Sequence, residues 1–128
     1  WTLLRLGEVR LLADQPAAAA DVASRALALF REHKERGGEA YALRLLGEVE
    51  RQRRDVDRAE AFVMGSYGLA QDLGMKPLAA RCQLELGMLL RPSDMSPDAA
   101  GHLAAAAQAL NSLGMEHWAR LAEHARPD

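Results

Sequence analysis

The sequence predicts an all-α fold in which helices stack as repeated pairs. A Leu-Gly dipeptide recurs every forty residues, at Leu6-Gly7, Leu46-Gly47 and Leu86-Gly87. An alanine follows each dipeptide at one fixed distance, and these alanines are Ala19, Ala59 and Ala99. A period of this size is typical of units that are each too small to bury their own apolar face. The composition agrees with helices, because Leu, Ala, Glu and Arg are abundant and are strong helix formers.

Helical periodicity, interrupted by proline, glycine and polar turns, predicts seven helices. The first pair covers 1–12 and 16–35 and ends near Gly37-Gly38. The second pair covers 39–52 and 56–73, and the third covers 76–90 and 97–113. A seventh helix follows from Met115 to Ala125. The predicted units are therefore 1–38, 39–75 and 76–114, with a capping helix at 115–126, within a single domain.

The repeated glycines predict close crossings between helices. A glycine inside a helix costs about 1 kcal/mol relative to alanine, so three equivalent glycines imply a shared compensation. We expect the repeated alanines to lie opposite them, because small residues are needed where two helices approach closely.

Charge and cysteine content exclude several classes of protein. The chain has 16 basic and 18 acidic residues, a net charge of −2, which gives no general affinity for nucleic acid or for an acidic membrane surface. Cys82 is the only cysteine, so no internal disulfide can form, and no signal peptide or membrane-spanning run is recognisable. These observations favour a cytoplasmic protein. Because Trp1 lies in an apparent helix with no initiator Met, we expect a fragment of a longer chain.

No pattern of residues indicates catalysis. The segment from Met64 to Gly68 lacks the spacing and the preceding strand of a nucleophile elbow. The repeated glycines are isolated in helices, unlike those of a phosphate-binding loop. The four histidines are dispersed, and Cys82 lies on an apolar stripe, where a buried structural thiol is expected. We therefore expect no enzyme activity, no catalytic residue, no metal site and no cofactor.

Helix-turn-helix units with Leu-Gly in the first helix and Ala early in the second resemble tetratricopeptide (TPR) repeats. The likeness covers nearly the whole chain, but the period is forty residues instead of thirty-four. Two further departures are the polar Gln83, where the family has a bulky residue, and the absence of the proline that usually ends a unit. The resemblance implies a right-handed α-solenoid of three TPR-like repeats with a C-terminal capping helix.

The segments 73–87 and 113–120 are similar to the C-terminal long-period repeats of large bacterial regulators, LuxR-type regulators among them. Those proteins join a nucleotide-cyclase or DNA-binding domain to a signalling ATPase. The resemblance implies a sensory or scaffolding segment of a bacterial signalling regulator that binds a protein or peptide.

In such a solenoid the first helices of the units line a concave surface. The resemblance places the following residues on it: Glu8, Tyr41, Arg44, Glu48, Arg51, Arg81, Glu85 and Met88. Tyr41 and Arg44 are the favoured contacts, because binding energy concentrates on aromatic and arginine side chains. The competing interpretation is an ordinary solvated surface, with Arg44 and Glu48 forming a weak pair along one helix.

The first helix is apolar on nearly all sides, which predicts that it has lost a neighbour. Its candidate self-association face consists of Trp1, Leu4 and Leu11 and would allow a homodimer to form. The alternative function is therefore a structural self-association module. A simpler interpretation is that Leu4 and Leu11 line the inner groove.

Overall fold

The computed structural model of the chain describes residues 1–90 together with residues 101, 104, 105 and 108. Five α-helices occupy residues 1–90: α1 (Thr2–Leu12), α2 (Pro16–Glu32), α3 (Arg36–Gln52), α4 (Val56–Asp72) and α5 (Lys76–Leu90). No strand occurs among the described residues, so the predicted all-α class is confirmed. The predicted capping helix at 115–126 lies outside the described residues, as does Ala99.

The four turns between these helices share one conformation and recur every twenty residues. They occupy residues 13–15, 33–35, 53–55 and 73–75. The middle residue of each turn has a left-handed backbone, with φ of 58° at Asp14, 54° at Lys34, 64° at Arg54 and 69° at Gly74. The N–H of the next residue donates to the carbonyl five residues back, as in a Schellman motif. The forty-residue repeat therefore contains two structural units, each a helix and a three-residue turn.

The boundary between α2 and α3 lies earlier than the glycines suggest. Helix α2 ends at Glu32 and α3 begins at Arg36, so Gly37 and Gly38 lie in the first turn of α3. The prediction that a helix ends near these glycines is wrong. Gly38 is buried, and a Cβ atom there would overlap the ring of Phe30 in α2. Because Gly38 has no side chain, α2 and α3 can pack closely at this point.

Each helix packs against the next one along the chain, which is consistent with a helical repeat. Helix α3 also contacts α1 and α5, whereas α2 and α4 do not contact each other. We call α1, α3 and α5 the inner layer and α2 and α4 the outer layer. Because helices are closer together in the inner layer than in the outer one, the stack curves towards the inner layer. The right-handedness of the solenoid, which the resemblance implies, stays a prediction.

The predicted crossings at Gly7 and Gly47 are confirmed. A Cβ atom on Gly7 would lie 2.8 Å from Leu45 Cδ2 and 3.8 Å from the carbonyl oxygen of Ala19. A Cβ atom on Gly47 would lie 2.7 Å from a methyl group of Val63 and 3.4 Å from the carbonyl oxygen of Ala59. Ala19 and Ala59 are both fully buried. The two hairpins therefore depend on the same contact between small residues.

A buried polar chain joins α3, α4 and α5. The hydroxyl of Ser66 in α4 donates to the carbonyl oxygen of Ala40 in α3 at 2.8 Å. The thiol of Cys82 in α5 donates to Ser66 Oγ at 3.4 Å. Burial raises the pKa of Cys82 to about 11, so the thiol is protonated at neutral pH. The predicted burial of Cys82 is confirmed.

The packing at Gly47 predicts that alanine has opposite effects at two glycines. Gly47→Ala should lower the free energy of unfolding by about 1–3 kcal/mol, because the new methyl group collides with Val63. Gly68→Ala in α4 should raise it by about 1 kcal/mol, because open space surrounds the new methyl group and alanine favours the helix. Urea unfolding of both variants checks this. If both substitutions changed the free energy of unfolding in the same direction, the prediction would be contradicted.

The left-handed turns predict a stabilising substitution at Arg54. A residue with a side chain is strained at positive φ, so Arg54→Gly should raise the free energy of unfolding by about 0.5–1 kcal/mol. Arg53→Gly is the matched control: Arg53 has a helical φ of −77° and should lose stability on the same change. Thermal unfolding followed by circular dichroism measures both. A destabilised Arg54→Gly variant would be inconsistent with strain at this position.

Candidate functional site

All eight predicted groove residues lie on the inner layer and line two adjoining cavities. The first cavity, of about 640 Å³, lies between α1 and α3 and includes Tyr41. The second, of about 590 Å³, extends from α1 across α3 to α5 and includes the other seven predicted residues. Both cavities are lined by Glu8, Leu12, Arg44 and Leu45. They therefore form one continuous surface, which we call the inner groove.

Helical spacing explains how residues distant in sequence reach this groove. Positions three or four apart share a face of a helix, which aligns Arg44, Glu48 and Arg51 along α3. Arg81 and Glu85 are aligned in the same way along α5. Contacts of α3 with α1 and α5 then place the three faces side by side.

Arg44 is the centre of the groove and is only 8% exposed. Its Nη1 atom donates to Glu85 Oε1 in α5 at 2.9 Å, and its Nη2 atom lies 4.0 Å from Glu8 Oε1 in α1. One side chain thus connects all three inner helices. In residues 1–90, Arg44 and Glu48 do not form the ion pair of the competing interpretation; Glu48 instead accepts a hydrogen bond from Arg51 at 2.9 Å.

The pair formed by Arg44 and Glu85 is incompletely satisfied. Arg44 Nε and Glu85 Oε2 are buried and have no hydrogen-bond partner among the described residues. Burial raises the pKa of Glu85, against the attraction of Arg44, because a carboxylate loses hydration there. Burial also lowers the pKa of Arg81, and the nearby charge of Arg44 adds to this effect. These groups form a charged centre that is poorly exposed to solvent.

Exposed groups surround this buried centre. Arg51 and Glu8 are about half exposed, and the hydrogen bond to Glu48 raises the pKa of Arg51. Val9, Leu12 and Met88 form exposed apolar parts of the groove. In total, four arginines and three glutamates line the two cavities; they are Arg5, Arg44, Arg51, Arg81, Glu8, Glu48 and Glu85. The groove can therefore contact apolar groups and both signs of charge.

Sequence reasoning missed Val9 and Leu12 as groove residues. Leu11 and Leu12 are adjacent, and neighbouring residues of a helix point about 100° apart, so both cannot enter the same core. That relation, applied to Leu11 and Leu12, would have indicated that one of the two is exposed.

The candidate self-association face differs from the expected one. Leu4 and Leu11 are buried in the core formed by α1, α2 and α3, so they are unavailable to a second copy. Leu4 lines the first cavity and Leu11 lines the second, in agreement with the simpler interpretation that both line the inner groove. Trp1 is 55% exposed, and its ring packs edge-on against Tyr41 with 5.2 Å between centroids. The exposed apolar residues of α1 are instead Leu6, Val9 and Leu12, besides Trp1.

The described residues show no arrangement typical of a metal centre. In residues 1–90 and the four described residues beyond them, no three His, Cys, Asp or Glu side chains lie close enough to hold a metal ion. Ser66, in the segment compared with a nucleophile elbow, is buried inside α4. Of the helices in this part of the chain, none is long and apolar enough to cross a membrane.

The buried pair predicts strongly non-additive effects on stability. Arg44→Met and Glu85→Met should each lower the free energy of unfolding by about 3–5 kcal/mol, because each removes the hydrogen-bonded partner of a largely buried charge. The free energy of unfolding of the double variant should fall by much less than the sum of the two single losses. Urea unfolding of the three variants and the wild type gives the coupling energy.

The pair between Glu48 and Arg51 is the matched control for this cycle. It has a similar distance of 2.9 Å, but Arg51 is 51% exposed. Its coupling energy should be below about 1 kcal/mol. Additive effects for Arg44 and Glu85, or an equal coupling in both pairs, would contradict the assigned role of burial.

No protein-family model matches this chain, and no curated protein sequence is significantly similar to it. Membership of the tetratricopeptide family and the link to bacterial regulators therefore stay predictions from sequence.

Proposed function

We propose that this chain is a non-catalytic scaffold that binds a protein or peptide segment in the inner groove. The observation that carries the proposal is the convergence of three helices on one surface. Eight residues selected from sequence, on α1, α3 and α5, line two cavities that share four residues. A continuous concave surface with apolar and charged groups is typical of sites that bind another chain.

The groove residues have two different roles in this proposal. Arg44 is buried, the side chain of Glu85 is only 15% exposed, and the two are bonded to each other, so in this proposal they fix the positions of α3 and α5 and do not contact the ligand directly. Arg51, Glu8 and Met88 are exposed and supply the contacts. A fixed groove loses little conformational entropy when a ligand binds, which favours affinity.

The ligand that best complements this surface is a short amphipathic segment. Its apolar side chains would cover Leu12 and Met88, which are exposed to water in the free groove. Its charged side chains would pair with Arg51 and Glu8 at the rim. Helix-in-groove recognition is one established form of such binding.

The biological setting in this proposal comes from sequence alone. The likeness of 73–87 and 113–120 to the repeats of bacterial regulators supports a signalling role in the cytoplasm. A bound segment would shift the parent protein between states if it bound one state more tightly than the other.

The proposal predicts that binding depends on the inner layer and is independent of the outer layer. Peptides selected for binding from a random displayed library would be measured by fluorescence anisotropy. Met88→Glu and Arg51→Glu should weaken binding at least about tenfold, a loss of about 1.4 kcal/mol.

Two outer-layer variants are the controls for this test. Met64→Glu in α4 alters a methionine that is 47% exposed, against 45% for Met88. Arg25→Glu in α2 alters an exposed arginine that lines neither cavity. Both should change affinity less than twofold. Binding in the groove would be refuted if inner-layer and outer-layer variants lost affinity equally. It would also be refuted if the selected peptides bound no better than scrambled peptides.

A further inference from the structure

Helix α1 exposes apolar side chains at positions that are buried in α3 and α5. Leu6 is 39% and Val9 is 58% exposed. Forty residues later, the identical residues Leu46 and Val49 are 5% and 0% exposed. After another forty residues, Leu86 and Leu89 are 1% and 7% exposed. The residue types are nearly constant, so the difference arises from what packs against each helix.

An outer-layer helix precedes each helix in which these positions are buried. Leu46 and Val49 belong to the apolar cluster that α3 shares with α1 and α2. Leu86 and Leu89 belong to the cluster that α5 shares with α3 and α4. Cys82, four residues before Leu86 on the same side of α5, donates to Ser66 of α4, so this side of α5 faces α4. Helix α2 packs against α3 in the same order along the chain. No helix among the described residues takes the equivalent place on α1.

We propose that Leu6 and Val9 of α1 bind an amphipathic helix in the place that α2 takes on α3. The two existing interfaces define the chemistry of this partner. Its buried stripe carries small residues, as do Ala23 and Ala26 of α2 in the cluster that contains Leu46 and Val49. In α4 the small residue Ser66 accepts a hydrogen bond from Cys82 of α5. This surface is separate from the ligand contacts of the inner groove, except for Val9, which borders both.

The position of Leu12 marks the edge of the proposed interface. Leu12 is the most exposed large apolar residue of α1. Its equivalent in α3 is Gln52, which is exposed although α2 covers Leu46 and Val49. The docked helix should therefore leave Leu12 uncovered.

The forty-residue register supplies a direct test in the full chain. Trp1 is equivalent to Tyr41, so a copy of residues 16–40 placed directly before Trp1 adds a helix of the α2 type in register. The copy also brings the turn 33–35 and the first five residues of α3. The extended chain should unfold at a temperature higher by about 5 °C or more.

The decisive measurement is the effect of Val9→Glu in the two chains. In the original chain, Val9 is exposed and the change should shift the unfolding temperature by less than about 2 °C. In the extended chain the same change should lower it by about 10 °C, because the glutamate would be buried without a partner. Leu12→Glu is the matched control and should be tolerated in both chains.

The test separates the proposed partner from the alternatives. If the copied helix simply lengthens α1, Val9→Glu has the same small effect in both chains, and the proposal fails. If the original chain forms a dimer in sedimentation equilibrium that Val9→Glu dissociates, a second copy occupies the surface and the proposal also fails. Ala23→Glu in the copied helix should abolish the stabilisation, which confirms that the small-residue stripe is the contact.

Discussion

The close approach of consecutive helices at small residues is the constraint on which the rest of the structure depends. Gly7 and Gly47 leave room for side chains of the neighbouring helices, and Gly38 leaves room for the ring of Phe30. Each glycine costs helix stability on its own, and the packing it permits offsets that cost. Because these contacts set the spacing of the helices, they also decide which side chains of α1, α3 and α5 meet.

The inner groove shows how such spacing creates a site. Arg44 reaches Glu85 in α5 and lies near Glu8 in α1, so a single guanidinium group orients three helices. A buried ion pair gives little net stability, since both ions lose hydration. We infer that its main effect is on the geometry of the groove, while the exposed Arg51 and Met88 remain accessible to a ligand.

The two candidate surfaces have different chemistry and suit different partners. The inner groove combines apolar groups with both signs of charge, which allows specific pairing with a segment of matching pattern. The Leu6 and Val9 surface of α1 is apolar, and it matches positions that other helices bury within the same chain. One surface is therefore suited to a ligand, and the other to continuation of the stack.

The sequence by itself determined the all-α class, the glycine–alanine crossings at Gly7 and Gly47, and the inner-layer membership of the eight groove residues. These follow from helical periodicity and from the forty-residue repeat, which are local or regularly spaced properties. Only the tertiary structure decided that Arg44 pairs with Glu85 in place of Glu48, and that Leu4 and Leu11 are buried. It also placed Gly37 and Gly38 inside α3 and revealed left-handed turns at Lys34 and Arg54. The pairing of Arg44 and the burial of Leu4 and Leu11 depend on how helices cross, and the spacing of residues along one helix carries no information about that geometry.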